Sequence, residues 1–160
     1  MAKLATTFES ILDTPAADVE RPRPMPVGTY EGVVKGLYEE GVSSQKKTPF
    51  VRFTYTFISA EGDVDEEELQ QVLTDKDGNL HPINEKTIKD TYYTTPDAMF
   101  RLTDTLECMS IFDPDADDAR SVRQMLADTP NASIRFSVSH RASEDGQQIF
   151  AEVKRTLKPE

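Results

Sequence analysis

Tryptophan is absent, cysteine occurs once and histidine twice, and no apolar run approaches the roughly 18 residues that a membrane helix needs. Each scarcity closes a class of function. A single cysteine excludes a disulfide framework and a CxxC metal site. Cys108 falls in the apolar-periodic run MFRLTDTLECMSI and reads as a small hydrophobe on a helix. His81 and His140 are too far apart and too poorly accompanied for a metal or a catalytic base, so each reads as a solvated side chain. The phosphate-cradling GxxxxGK[ST], the GxSxG elbow and HExxH are all missing, which leaves no constellation for an enzyme and calls for no cofactor. Two acidic runs invite calcium and fail on pattern. FDPDADDARSVRQ has Asp118 where the loop needs glycine and Gln124 where it needs glutamate, and DKDGNLHPINEK has its glycine too early. No metal is expected. The opening MAKLATTFESILDTP carries acids where a signal peptide needs an unbroken apolar segment, so a cytoplasmic, non-membrane protein is expected.

Positive charge is also short: 18 Lys and Arg stand against 29 Asp and Glu, a formal net charge of −11. Such a balance weighs against nucleic acid, whose phosphates call for a basic footprint. The distribution weighs the other way. Residues 61–90 hold ten acids and three bases, and residues 104–128 hold seven acids and two bases. Residues 28–60 and 131–160, read as strands, each come to +1. A mildly basic face beside acidic loops is compatible with this pattern.

The 160 residues suffice for one modest domain. Residues 1–26 read as an N-terminal arm, with Leu4, Phe8, Ile11 and Leu12 at helical spacing, followed by a proline-rich linker; residues 27–160 read as the domain. From Thr29 the chain is strand-like, and Gly32 and Gly36 predict a strong bend. EEGVSSQKKTP reads as a polar turn. VRFTYTFIS then alternates, with Val51, Phe53, Tyr55 and Phe57 on the core face and Arg52, Thr54 and Thr56 on the other. GDVDEEELQQ reads as a solvated acidic segment, and the run through Asp77, Gly78 and Asn79 as a tight turn in an insertion or extra hairpin. KTIKDTYYTTP supplies a third strand. Thr95, Pro96 and Asp97 start a helix reaching about Met109, with Met99, Leu102, Leu106 and Met109 on one stripe. A second helix, about 117–127 and capped by Asp113–Asp118, turns Val122, Met125 and Leu126 inward. ASIRFSVSHR and QIFAEVKRTL close the chain as a hairpin, with Ile134, Phe136 and Val138 on one face. The expected class is α+β, mainly β: an OB-fold-like five-stranded barrel with its helix between strands three and four.

Candidate nucleic-acid-binding residues follow from this layout. Lys46 and Lys47 occupy the first loop, and Arg52 the exposed face of the strand after it. Tyr38, near the end of the first strand, is placed to stack on a base. One of Tyr92 and Tyr93 must point away from the core, because neighbours on a strand face opposite sides. Arg135 and Lys154 extend the basic surface across the closing hairpin, ahead of His140, Arg141 and Arg155.

PMPVGTYEGVV, QKKTPFVRFTYTF, AMFRLTDTLECM and SVSHRASEDGQQIFAEVKR together resemble small bacteriophage OB-fold proteins, among them single-stranded DNA-binding proteins, over residues 24–156. The resemblance implies a protein of the bacterial host cytoplasm that binds single-stranded DNA without sequence preference during phage DNA replication or recombination. It implies a binding surface on Lys35, Lys46, Lys47, Arg52 and the exposed aromatics, phage or host replication and recombination proteins as partners, and allows a homo-oligomer. Two other expectations stand beside it: an acidic OB-fold protein-interaction module docking a replication or host-defence protein, and a virion structural component.

Overall fold

The computed structural model describes residues 23–159. The arm expected over residues 1–12 lies outside them, as does most of the linker. The elements run β1 (Gly28–Val34), β2 (Glu39–Val42), β3 (Pro49–Ala60), α1 (Glu66–Leu73), a 3-10 turn (Ile83–Glu85), β4 (Thr87–Tyr93), α2 (Met99–Cys108), α3 (Val122–Leu126), β5 (Ser133–Ala142) and β6 (Ile149–Leu157). The protein is α+β and mainly β.

All six strands belong to one antiparallel sheet. β3 is its spine. Along one edge it pairs with β2 through residues 49–52 and with β1 through residues 55–60, and along its other edge with β4. β1 then pairs with β5, and β5 with β6. β1 and β2 are two halves of one bent strand, and the break between them has Gly36 at φ +67, in the left-handed region that glycine enters without strain. A register shift at Glu31/Gly32 adds a second bend. The glycine spacing therefore predicted the bending correctly. The sheet does not close: β4 and β6 run in the same direction, each borders the gap, and they exchange no ladder hydrogen bonds.

Period-two patterning carries the core. Val51, Phe53, Tyr55 and Phe57 of β3 and Ile134, Phe136 and Val138 of β5 are all buried, meeting Tyr30 and Val34 of β1. Their rings interlock, with Tyr30 edge-on to Phe57 at 4.8 Å and Tyr55 against Phe136 at 5.2 Å between centroids. Leu102, Leu106, Met109, Met125 and Leu126 of the helical segment cover one end of this core, matching the predicted stripes.

Several boundaries differ from expectation, each for a local reason. Among the described residues six strands form rather than five, because EEGV leaves the polar turn to pair with residues 49–52; only Ser43–Thr48 remains as the turn. The acidic run forms helix α1 instead of a solvated segment: Asp65 accepts from the Glu68 backbone N–H, and Glu66, Glu67 and Glu68 sit at the positive end of the helix dipole. Leu69, Val72 and Leu73 turn toward the core. The extra hairpin shrinks to one bridge, Thr74 with Leu80, around the predicted turn. α2 begins at Met99, since residues 96–98 form a turn and Thr95 contributes its carbonyl rather than its side chain. α3 is shorter than expected. Its cap is Ser121, in a reciprocal capping box with Gln124, and not the Asp113–Asp118 run.

Candidate nucleic-acid interface

The outward residues of β3 and β4 follow from parity. With Val51, Phe53, Ile88 and Asp90 buried, Phe50, Arg52 and Thr54 face outward opposite Tyr93, Thr91 and Lys89. Phe50 and Tyr93 are direct cross-strand partners. The Arg52 guanidinium carbon lies 4.6 Å from the Phe50 ring centroid, its Nε donates to Thr91 Oγ1 at 2.9 Å, and its Nη1 is 3.6 Å from Glu39 Oε2. Tyr93 is 48% exposed. The result is a patch of two rings and a stacked guanidinium, with exposed Lys89 along it and exposed Lys46 and Lys47 in the β2–β3 turn.

The predicted site residues separate into two groups on this geometry. Lys46, Lys47, Arg52 and Tyr93 fall on or beside the patch. Lys35 is exposed in the break between β1 and β2, and Tyr38 is half-buried against the core next to Arg123. Arg135 is held in a two-pronged ion pair with Glu61, at 2.6 and 2.7 Å, and its charge is answered there. Lys154 is exposed on β6, on the far side of the gap from β4. His140 is not the solvated residue expected: its Nε2 donates to the Met25 carbonyl at 2.8 Å and ties buried Met25 to β5. His81 lies between Asp75 and Glu85, at 2.7 and 3.1 Å, and these two carboxylates raise its pKa.

Tyr92 takes the inward direction of its pair. Its hydroxyl donates to Asp90 Oδ2 at 2.6 Å and accepts from Thr105 Oγ1 at 2.6 Å, while Thr105 also bonds Thr156 at 2.9 Å. Tyr55 donates to the same Asp90 oxygen at 2.8 Å. This chain of hydroxyls links β6, α2, β4 and β3 across the gap that backbone pairing leaves open. Burial pushes the Asp90 carboxyl up to about 6, against the two tyrosine hydroxyls that pull it down. Burial and the neighbouring Asp90 charge raise the Tyr92 and Tyr55 hydroxyls, which remain donors.

Phe50 is the residue that sequence reading missed. It shares the parity of Arg52 and Thr54, and extending the alternation one residue toward the N-terminus would have found it. Neither a protein-family model nor a curated protein matches the chain. No helix among the described residues is long and apolar enough to cross a membrane.

Proposed function

We propose that the chain is a non-enzymatic domain that binds single-stranded DNA across the outer face of β3 and β4, with little sequence preference. The observation that carries this reading is the cross-strand pair Phe50 and Tyr93 with Arg52 stacked on Phe50. Rings accept any base, because every base has a π-face, at about 1–3 kcal/mol per stacked base. Lys46, Lys47 and Lys89 supply phosphate contacts around the rings, whose binding weakens as salt rises.

The acidic run of α1 does not stand against it. Segment 61–73 leaves β3 at the end opposite Phe50, about 30 Å along the strand at ~3.3 Å per residue, several times a Debye length of ~10 Å. The strand order β4-β3-β1-β5-β6, with a helix between the third and fourth of these in sequence, supports reading the sheet as an open OB-like barrel in which β1 and β2 together form the first strand. In that architecture the β3–β4 face is where oligonucleotides lie. The resemblance to bacteriophage OB-fold proteins supports a place in phage DNA replication or recombination.

Fluorescence anisotropy of a labelled 30-nucleotide oligo-dT, at low and moderate salt, tests the reading. Micromolar or tighter binding that weakens steeply with salt, and that is lost in a Phe50→Ala/Tyr93→Ala double variant, is the expected result. No binding at low salt would overturn it in favour of a protein-interaction module. The exposed Leu37, just before the short edge strand β2, and Val42, its last residue, favour that second reading.

A further inference from the structure

The gap between β4 and β6 is a cleft of about 510 Å³ bordered by α2. Arg101 of α2 and Lys154 and Arg155 of β6 converge on it. We propose that a single strand of DNA crossing the β3–β4 face continues over the free edge of β4 into this cleft, where these three cations receive its phosphates. The inference rests on the single-stranded DNA reading and deepens it.

Three observations carry it. The first is pairing. Arg52, Arg120, Arg123, Arg135 and Arg141 all have carboxylate partners, whereas among the described residues none of the three cleft cations stands in an ion pair. Three cations on a concave wall, outnumbering its two carboxylates and engaged in no ion pair, leave a field that an anion can neutralise.

The second is a local distortion. Consecutive strand residues face opposite sides, so Lys154 and Arg155 would ordinarily diverge. The register of β5 with β6 slips between Ser137 and Val138, which oppose Arg155 and Val153 and leave Lys154 as the extra residue. A bulge of this kind breaks that alternation, and the residues around it, 153–156, all line the cleft.

The third is continuity. Thr91 and Tyr93 belong to the outer face of β4 and also line the cleft, so Tyr93 is common to the aromatic patch and the cleft. Two carboxylates oppose the three cations. Asp104 is exposed on α2, and Asp90 lies on the floor, 8% exposed, with one oxygen covered by the Tyr55 and Tyr92 hydroxyls. A strand with one charge per nucleotide suits cations spread over two elements, and the bases of its adjoining part would lie on Phe50 and Tyr93.

The test compares the wild type with an Arg101→Gln/Lys154→Gln/Arg155→Gln variant in oligo-dT binding over a range of salt. Each phosphate contact on a single strand contributes about 0.7 to the slope of log K against log salt, so loss of three lowers the slope by about 2. Unchanged affinity and slope, with the wild type binding, would overturn the cleft assignment and leave the β3–β4 face standing. No binding by the wild type would overturn both. Photocross-linking of the unaltered protein to iodouracil-substituted oligonucleotide checks the path without mutation. Cross-links at Tyr93 and within 149–157 support it, and cross-links confined to residues 43–52 refute it. Displacement of oligo-dT by poly-glutamate of equal charge, at equal concentration, would replace the nucleic-acid occupant with an acidic protein segment.

Discussion

The far edge of the Phe50 ring rests on Gly41: a Cβ built on that glycine would stand 2.7 Å from Phe50 Cζ. Real Cβ atoms do not approach so closely, so Gly41 is what lets the ring lie down across β2 with Arg52 above it. The ring tip can move and the backbone need not. Gly41→Ala is therefore expected to lift Phe50 out of the patch, with little change in melting temperature. Oligo-dT affinity should fall about five-fold, on the order of 1 kcal/mol of stacking. Unchanged affinity would remove Phe50 from the binding surface.

Gly32 presents the opposite case. A Cβ there would lie 2.6 Å from the Thr56 carbonyl oxygen and 2.8 Å from Phe136 Cε1, one a backbone atom of the paired strand and the other part of a fully buried ring. Neither can withdraw without opening the β1–β3 ladder at its bulge. Gly32→Ala should destabilise by about 2–3 kcal/mol, the upper end of overpacking costs. Urea denaturation measures it, and a loss below ~0.5 kcal/mol would mean that the bulge relaxes freely.

Arg135 separates the surface expected from the sequence from the one the fold builds. Strand parity correctly turned Arg135 away from Ile134 and Phe136, yet its charge is spent on Glu61, the pair being mostly shielded from water. Arg135→Gln should leave the affinity and salt slope of oligo-dT binding unchanged and lower stability, since Glu61 would keep a half-buried charge without its partner. A reduced salt slope in this variant would return Arg135 to the interface.

What the sequence disclosed was local. Alternation located β3 and β5 and their core faces, and helical spacing located the buried stripe of α2, because in both cases burial imposes the period directly. β2 escaped because Glu39–Val42 has no strand character of its own and exists through its pairing with residues 49–52. α1 was hidden behind its charge, although Asp65 three residues ahead of Glu68 is a helix-start signal and Leu69, Val72 and Leu73 fall at helical spacing. The cleft lay beyond reach for a different reason. Arg101 and Arg155 are brought to one cleft only by the topology, and the one-residue bulge at Lys154 leaves no mark in the alternation.

Asp90 offers a test of the cleft floor through pH. Its carboxyl is raised from 3.8 to about 6 in the folded protein, chiefly by burial. Between those values the folded state holds more protons than the unfolded chain, so the contribution of this group to stability is greatest below about pH 4 and is lost as pH rises through 6. By pH 7 the ionised form costs on the order of 3 kcal/mol relative to the neutral one. Asp90→Asn keeps a carbonyl-type acceptor for the Tyr55 and Tyr92 hydroxyls and cannot ionise. Its stability relative to wild type should therefore improve by up to ~3 kcal/mol between pH 4 and pH 7, read from urea denaturation at each pH. The carboxylates Glu40, Glu61, Asp63, Asp75 and Asp118, whose hydrogen bonds hold their pKa values down, act in the reverse sense and are common to both proteins, so the difference isolates Asp90. Parallel stability profiles would show that the carboxylate on the cleft floor is as well solvated as one on the surface. The polar seam between β4 and β6 would then be open to water rather than sealed by its chain of hydroxyls.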